Sequence, residues 1–529
     1  MNIAKNCVVT GKEFTITDAE QEHIRKFEEL HPLLRNGDIP LPNIHPLELH
    51  RQMHSYVTLT SLFETKSALS QKSLITRYNP KLGYNVCTYE EFWDDSLDNI
   101  QFGQEYDFNR PFFEQWNELM HKVYRQPLVQ INCENSSYVD SSSNLKNCYM
   151  CFGVGESEDC FYVVKSRYPL KDRDCVDCVG IIQCELCYAC IDCDNAYACQ
   201  HCQDCVNCSD CFGSYDLIGC KNCFGCFGLR RKEFCVFNKQ LTKEEYKSFL
   251  KSLDLGDYQV RSEQVKKCET FIATSGHISN QIKHCENVTG GDYLTHCKNV
   301  YNCYLGNTLE DCGWSTGSYG KDGWRSELYH GELSYNSAVI FGRLGFGNAI
   351  HTGNENFYSD MIFNCDSCFG CAMLKKKSYC ILNKQYTKEE YHELVPRIIT
   401  HMKRTSEWGQ FLPPMYSPHY YEESQAYQWY DPISHTDAKR RLYRLRPESA
   451  TASSDIHAKP VSKLPLNIKD ANVEELAKAI IACANTGKTY RLTTQEISFY
   501  QRNSIPLPRL HWEERLRILM NKRRLIPSV

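Results

Sequence analysis

The sequence predicts a mainly β protein: two cysteine-lined β-solenoid (β-helix) segments, each capped by a helix, with a small α/β module at either end. Three observations carry this. Eighteen cysteines between Cys148 and Cys235 all fall in one phase of three. The block 219–246 returns at 364–391, offset by 145 residues without a gap. A motif near the start, Cys7-x-x-Thr10-Gly11-Lys12, recurs near the end as Cys483-x-x-Thr486-Gly487-Lys488.

Helices repeat about every 3.6 residues and flat strands every second one, so a period of three belongs to neither. In-phase positions that are not cysteine are small or apolar: Val154, Ser157, Val163, Ile181, Ala196, Ser214, Leu217 and Leu229. One inward row of side chains in a bending chain gives this pattern. An 18-residue offset superposes Cys175/Cys193/Cys211, Cys184/Cys202/Cys220, Cys187/Cys205/Cys223 and Cys190/Cys208/Cys226. It predicts a three-sided coil of that length. Nine of the eighteen cysteines follow Asp or Asn, residues that bend the backbone through local side-chain hydrogen bonds.

The elements follow in chain order. Residues 1–54 form the N-terminal module, with a helix start at Thr17-x-x-Glu20 and the motif Ile39-Pro-Leu-Pro-x-Ile-His45. Residues 55–130 are an aromatic-rich packed segment. Solenoid 1 covers 131–255 and solenoid 2 covers 256–400, each ending in Asn-Lys-Gln and then a capping box, Thr242/Glu245 or Thr387/Glu390. In solenoid 2, Cys285, Cys297, Cys303 and Cys312 share one phase and Cys365 to Cys380 another; long loops are expected between the two blocks. Residues 401–447 read as a Tyr/Pro-rich strap and 448–465 as a linker. The C-terminal module, 466–529, repeats Thr493-x-x-Glu496 and Ile505-Pro-Leu-Pro-x-Leu-His511. Here Leu476, Ile480 and Cys483 fall on one face of a helical run.

Charge is split unevenly. Residues 438–529 hold 18 Lys+Arg against 8 Asp+Glu, a net of +10 in a chain of net −5. Arg509, Arg515, Arg517, Lys522, Arg523 and Arg524 cluster near the end, with Arg440, Arg441, Arg444 and Arg446 ahead of the linker. Such an end binds nucleic acid or docks onto its own acidic body. No run of about 18 apolar residues occurs, and MNIAKNCVVTGKEF lacks an apolar secretory core. The expectation is a cytosolic protein with no membrane contact, whose 31 cysteines stay reduced.

Cysteine pairs two residues apart raise metal binding. An extended Cys-x-x-Cys sets its Cα atoms about 10 Å apart, too far for one ion at about 2.3 Å from each sulfur. A narrow lumen packed with small thiols explains the phase lock; soft ions shared between coils are the alternative. The end modules are candidate zinc sites through Cys7, His45, His50, Cys483 and His511, although Thr10 and Thr486 occupy the second knuckle positions. No Ser-His-Asp set, P-loop or nucleotide fingerprint occurs, and no cysteine is singled out as a nucleophile.

These segments together resemble a group of uncharacterised bacterial proteins with zinc-ribbon modules flanking cysteine-rich triplet repeats. The resemblance rests on TGKEFTITDAE, FGQEYDFNRPFFEQ, KSYCILNKQYTKEEY, EWGQFLPPMYSPHYYEESQAY and ISFYQRNSIPLPRLHWEERLR, in that order. It implies zinc-ribbon-like ends with possible ligands at Cys7, His45, His50, Cys483 and His511, and brings no established activity. The expected function is a non-enzymatic scaffold binding a protein or nucleic acid. The alternatives are a thiol-rich metal store and a nucleic-acid-associated protein using the basic end.

Overall fold

The computed structural model describes residues 1–529 except 36, 59, 165–172, 174, 180–204, 277–279, 448–457 and 524–529, with backbone alone at 179, 520, 522 and 523. The chain forms a parallel β-solenoid with helices outside it. Two compact units divide it: residues 1–128, 278–446 and 525–529 form one, and residues 129–277 and 447–524 the other. Among the described residues no helix is long and apolar enough to cross a membrane.

The period of three has a backbone cause. Every third residue is left-handed: Asn144, Asn147 and Met150 have φ of 53°, 54° and 54°, and Asn207, Asp210 and Asn222 have 52°, 52° and 50°. Each left-handed residue turns the chain, and the next side chain points into the lumen. Asn and Asp enter this region at low cost because their short side chains bond locally, which is why they precede so many cysteines.

The coil is 12 residues, not 18. Cys211 lies in register with Cys223, and Cys223 with Cys235; four three-residue sides therefore make one turn. An 18-residue offset preserves the phase but lands halfway around the lumen. Cys184, Cys187, Cys190, Cys193 and Cys202 lie outside the described residues. One coil is three residues longer, since Phe161 pairs with Val176.

Solenoid 2 contains no long loops between its two blocks. Glu310, Lys321, Glu332, Arg343 and Asn354 follow one another in register at steps of 11 residues. Each step drops one residue and moves the inward phase by one. Four such steps carry the phase of Cys312 to that of Cys365. The shortened corners need glycine: at Gly317 (φ +113°) and Gly353 (φ +119°) a Cβ would sit 1.9 Å from the carbonyl oxygens of Leu328 and Cys365.

At the C-terminal end of each Cys-rich run the chain reverses into an antiparallel strand. Glu233–Val236 turns back against Lys239–Gln240, and Ser378–Ile381 against Lys384–Gln385. The helices Lys243–Lys251 and Lys388–Arg404 follow, each with a reciprocal capping box.

Among the described residues the lumen is filled by buried cysteines and aliphatic side chains. In solenoid 1 it is lined by Cys148, Cys151, Cys160, Cys175, Cys178, Cys205, Cys208, Cys211, Cys220, Cys223, Cys226 and Cys235 with Val and Leu. We expect Cys223→Ala to lower stability by about 1–2 kcal/mol as a lost small apolar group. Cys223→Leu should be worse, because the added atoms meet Cys211 and Cys235 on the coils either side. Urea unfolding measures both; equal tolerance of the two would contradict a tight lumen.

Candidate functional site

The end modules are built on one backbone. After strand Ile3–Asn6, Cys7 N–H donates to Lys12 O (2.8 Å) and Gly11 N–H to Cys7 O (2.8 Å). Cys483 N–H donates to Lys488 O (2.9 Å) and Gly487 N–H to Cys483 O (3.0 Å) in the second copy. Val8 N–H then reaches Asn43 O, as Ala484 N–H reaches Arg509 O, both at 3.0 Å. The helical run predicted through Cys483 stops at Lys478, and Ile481–Ala482 is a strand opening the knuckle.

A third copy lies in the aromatic-rich segment. Ser67 N–H donates to Lys72 O (2.8 Å), Gln71 N–H to Ser67 O (3.0 Å) and Ala68 N–H to Val86 O (2.8 Å). Gln71 takes φ 61° where the other copies have Gly11 and Gly487. The sequence hid it because Ser67 and Ser70 stand at the Cys7 and Thr10 positions.

The predicted histidine ligands are helix caps. His45 Nδ1 accepts from Leu47 N–H and His511 Nδ1 from Glu513 N–H, each at 3.2 Å; Thr88 caps the third copy. Burial lowers His45 to about 4 and His511 to about 3. His50 lies one helical turn further on, its Nε2 2.5 Å from Trp314 O, and burial lowers it to about 4. The backbone N–H of His511 reaches the Cys483 thiol. Burial opposes ionisation of the thiol, but the Thr486 hydroxyl and the His511 N–H hold it below the ordinary thiol range. In the third copy the same positions are pinned without sulfur: Ser67 Oγ donates to Glu91 Oε2 at 2.5 Å. Among the described residues no group of three or more His, Cys, Asp or Glu is arranged to hold a metal ion.

The thiols of the lumen are engaged with the backbone. Cys211 Sγ donates toward Ser209 O (3.3 Å) and Cys220 O (3.7 Å), and Cys371 Sγ toward Phe369 O (3.6 Å) and Cys380 O (3.4 Å). The left-handed bends also bring consecutive thiols together, which an extended Cys-x-x-Cys would not. Cys148 accepts from Cys151 and Cys160 and is held down, while burial and Cys148 push Cys151 well up. Burial pushes Cys303 to about 12. Cys208 and Cys223 are held down in the same way, to about 3, by thiols on either side.

Arg509 and Arg515 of the basic end are turned inward. Arg509 donates to the Val461 and Leu464 carbonyls and, at 2.7 Å, to Pro465 O. Arg517 pairs with Glu514 at 2.7 Å. Arg515 binds Asp177, lies 3.6 Å from Glu496 and covers the Tyr162 ring at 4.7 Å. The side chains of Lys522, Arg523 and Arg524 lie outside the described residues. Upstream, Arg441 pairs with Glu48 at 2.5 Å and Arg446 with Glu423 at 2.9 Å.

Glu20 and Glu496, the glutamates of the matching helix starts, are fully buried anchors rather than capping-box partners. Glu20 meets Arg325 and accepts from Tyr335 Oη at 3.2 Å. Glu496 accepts from Tyr162 Oη (2.9 Å) and Tyr500 Oη (3.0 Å) and shares Arg515 with Asp177. Two carboxylates thus face one guanidinium. Comparison of the chain with protein-family models, curated proteins and solved structures finds no match in any of the three.

Burial raises Glu496 to about 7. A carboxyl that binds its proton more tightly folded than unfolded stabilises below about 4.5, and that stability is lost as pH rises through 7. His511, lowered to about 3, acts oppositely, gaining stability as pH climbs through the ordinary histidine range. The glutamate is therefore read as the difference between the parent and Glu496→Gln. Between pH 5 and pH 8 the parent should lose up to about 3 kcal/mol relative to the variant, measured by urea unfolding; parallel profiles would refute the assignment.

Proposed function

We propose that this protein is a non-enzymatic scaffold, a rigid cysteine-lined solenoid with zinc-ribbon-like modules that binds other macromolecules through its outer faces. The observation that carries this reading is a division of chemistry between inside and outside. Inside, the thiols pack and donate to backbone carbonyls. Outside, solenoid 2 repeats polar and aromatic groups along its axis. One face carries Glu286, Lys298, Glu310, Lys321, Glu332 and Arg343 in register. Another carries stacked rings: His284 on His296 (5.1 Å), Tyr319 on His330 (4.9 Å) and Tyr329 on Phe341 (5.7 Å). Tyr319 and Phe341 are exposed. A row repeating at coil spacing suits an extended macromolecular partner better than a small substrate.

A metal store is the second reading, favoured by the contacts between consecutive thiols. Elemental analysis of anaerobically purified protein separates the two. Near-zero metal supports a packed lumen, one or two zinc ions assign metal to the end modules, and many ions support the store. The nucleic-acid reading draws on the basic end and is tested by gel shift at about 50 mM salt, where phosphate-driven binding is strong. For the scaffold itself, the combined variant Tyr319→Ala, His330→Ala, Phe341→Ala should fold normally by circular dichroism. It should lose the partners that in-cell cross-linking finds with the parent. An unchanged partner set would overturn this use of the ring face.

A further inference from the structure

Each solenoid begins on a coil that, among the described residues, pairs with another coil on one side alone. The first coil of solenoid 1 opens with Gln130-Ile131-Asn132-Cys133-Glu134-Asn135, and that of solenoid 2 with Gln281-Ile282-Lys283-His284-Cys285-Glu286-Asn287. Both starts read Gln-Ile and then Cys-Glu-Asn. Every described cysteine is buried except Cys133 and Cys285, the inward thiols of these two coils. Ile131 is 48% exposed and Ile282 39%, although each strand pairs on one side with the coil after it.

The backbone repeats the message. In the second coil of solenoid 1, Asn147 N–H and Met150 N–H donate back to Glu134 O and Ser137 O, both at 3.1 Å. The corresponding N–H groups of Asn135 and Tyr138 have no backbone partner among the described residues. The far ends are treated differently: both reverse into an antiparallel strand and continue into a capped helix.

An open edge accepts another strand. A parallel continuation would need the C-terminal end of a solenoid, and both such ends are closed. What remains is a first coil meeting a first coil, running antiparallel, and this contact is self-complementary about a two-fold axis. Charge favours solenoid 2. Lys283 and Glu286 flank the corner at His284 and Cys285, so a two-fold axis through that corner sets Lys283 of one copy against Glu286 of the other. The edge of solenoid 1 carries Glu134 with no cation between 129 and 139. We propose that the first coil of solenoid 2 is a self-association edge, occupied in solution by the same edge of a second copy of this chain.

A single-edge contact is at the small end of specific interfaces, so the association is weak and concentration-dependent. Sedimentation of the full chain under reducing conditions, from low to high micromolar, should show a reversible monomer–dimer equilibrium. Ile282→Lys and Lys283→Glu should each weaken it at least tenfold, and the exchange Lys283→Glu with Glu286→Lys should restore it. Ile131→Lys should leave it unchanged, and circular dichroism should show every variant folded as the parent. Alkylation of Cys285 should slow as the dimer forms. A chain that stays monomeric throughout overturns the proposal. So does a dimer disrupted by Ile131→Lys but indifferent to Ile282→Lys, or one that the charge exchange fails to restore.

Discussion

A left-handed residue at every third position is the constraint on which the rest depends. It shortens each side of the coil to three residues and leaves one inward side chain per side. Four such side chains share each level of the lumen, where cysteines alternate with aliphatic residues such as Leu217, Leu309 and Ile362. Holding non-glycine residues at φ near +50° costs roughly 1 kcal/mol each or more. That cost is offset coil after coil by backbone hydrogen bonds in both directions, such as Glu134 N–H to Leu145 O at 2.8 Å and Asn147 N–H to Glu134 O at 3.1 Å. Cysteine suits the remaining space as a small apolar residue with a weak donor.

Serine in solenoid 2 shows how far the role is geometric. Cys303 Sγ donates toward Tyr301 O and Cys312 O, and one coil later Ser315 Oγ donates to Gly313 O (3.0 Å) and Gly323 O (2.9 Å). Ser326, Ser337, Asn348 and Ser359 continue that column, each N–H donating to the side-chain oxygen one coil earlier. Cys371 then resumes it, its N–H donating to Ser359 Oγ at 3.2 Å. Thiol, hydroxyl and amide occupy one column with the same backbone partners. Sulfur chemistry is therefore not what selects the residue in this column; size and a donor aimed at a carbonyl are.

The period, the duplication and the helix starts at Thr242 and Thr387 were legible in the sequence because each is local. Coil length was not, since any multiple of three preserves the phase and only pairing between coils decides among them. Single-residue shortenings made solenoid 2 look interrupted: the reading frame slipped while the fold continued. The third knuckle escaped because Ser67 and Ser70 hold by hydrogen bonds what Cys7 and Thr10 open elsewhere. Counting cations showed a basic end but could not separate Arg509 and Arg515, which are held by carbonyls and buried carboxylates, from a free basic surface. The assignment of His45 and His511 as ligand candidates followed their spacing, whereas their shared local role is to cap a helix.

The pairing of modules with solenoids runs across the chain order. The N-terminal module belongs to the unit containing solenoid 2, and the C-terminal module to the unit containing solenoid 1. Glu20 meets Arg325 from 305 residues away, and Glu496 meets Tyr162 from 334. Equivalent glutamates thus anchor equivalent helices, but the counter-charge has moved. Arg325 comes from the solenoid itself, whereas Arg515 comes from the module's own last helix, Trp512–Arg523, and reaches Asp177 on the solenoid. In the first arrangement an arginine is left buried and unpaired if the module leaves; in the second it is an aspartate. An unpaired buried charge is costly in either case, so each module acts as a side wall of its solenoid.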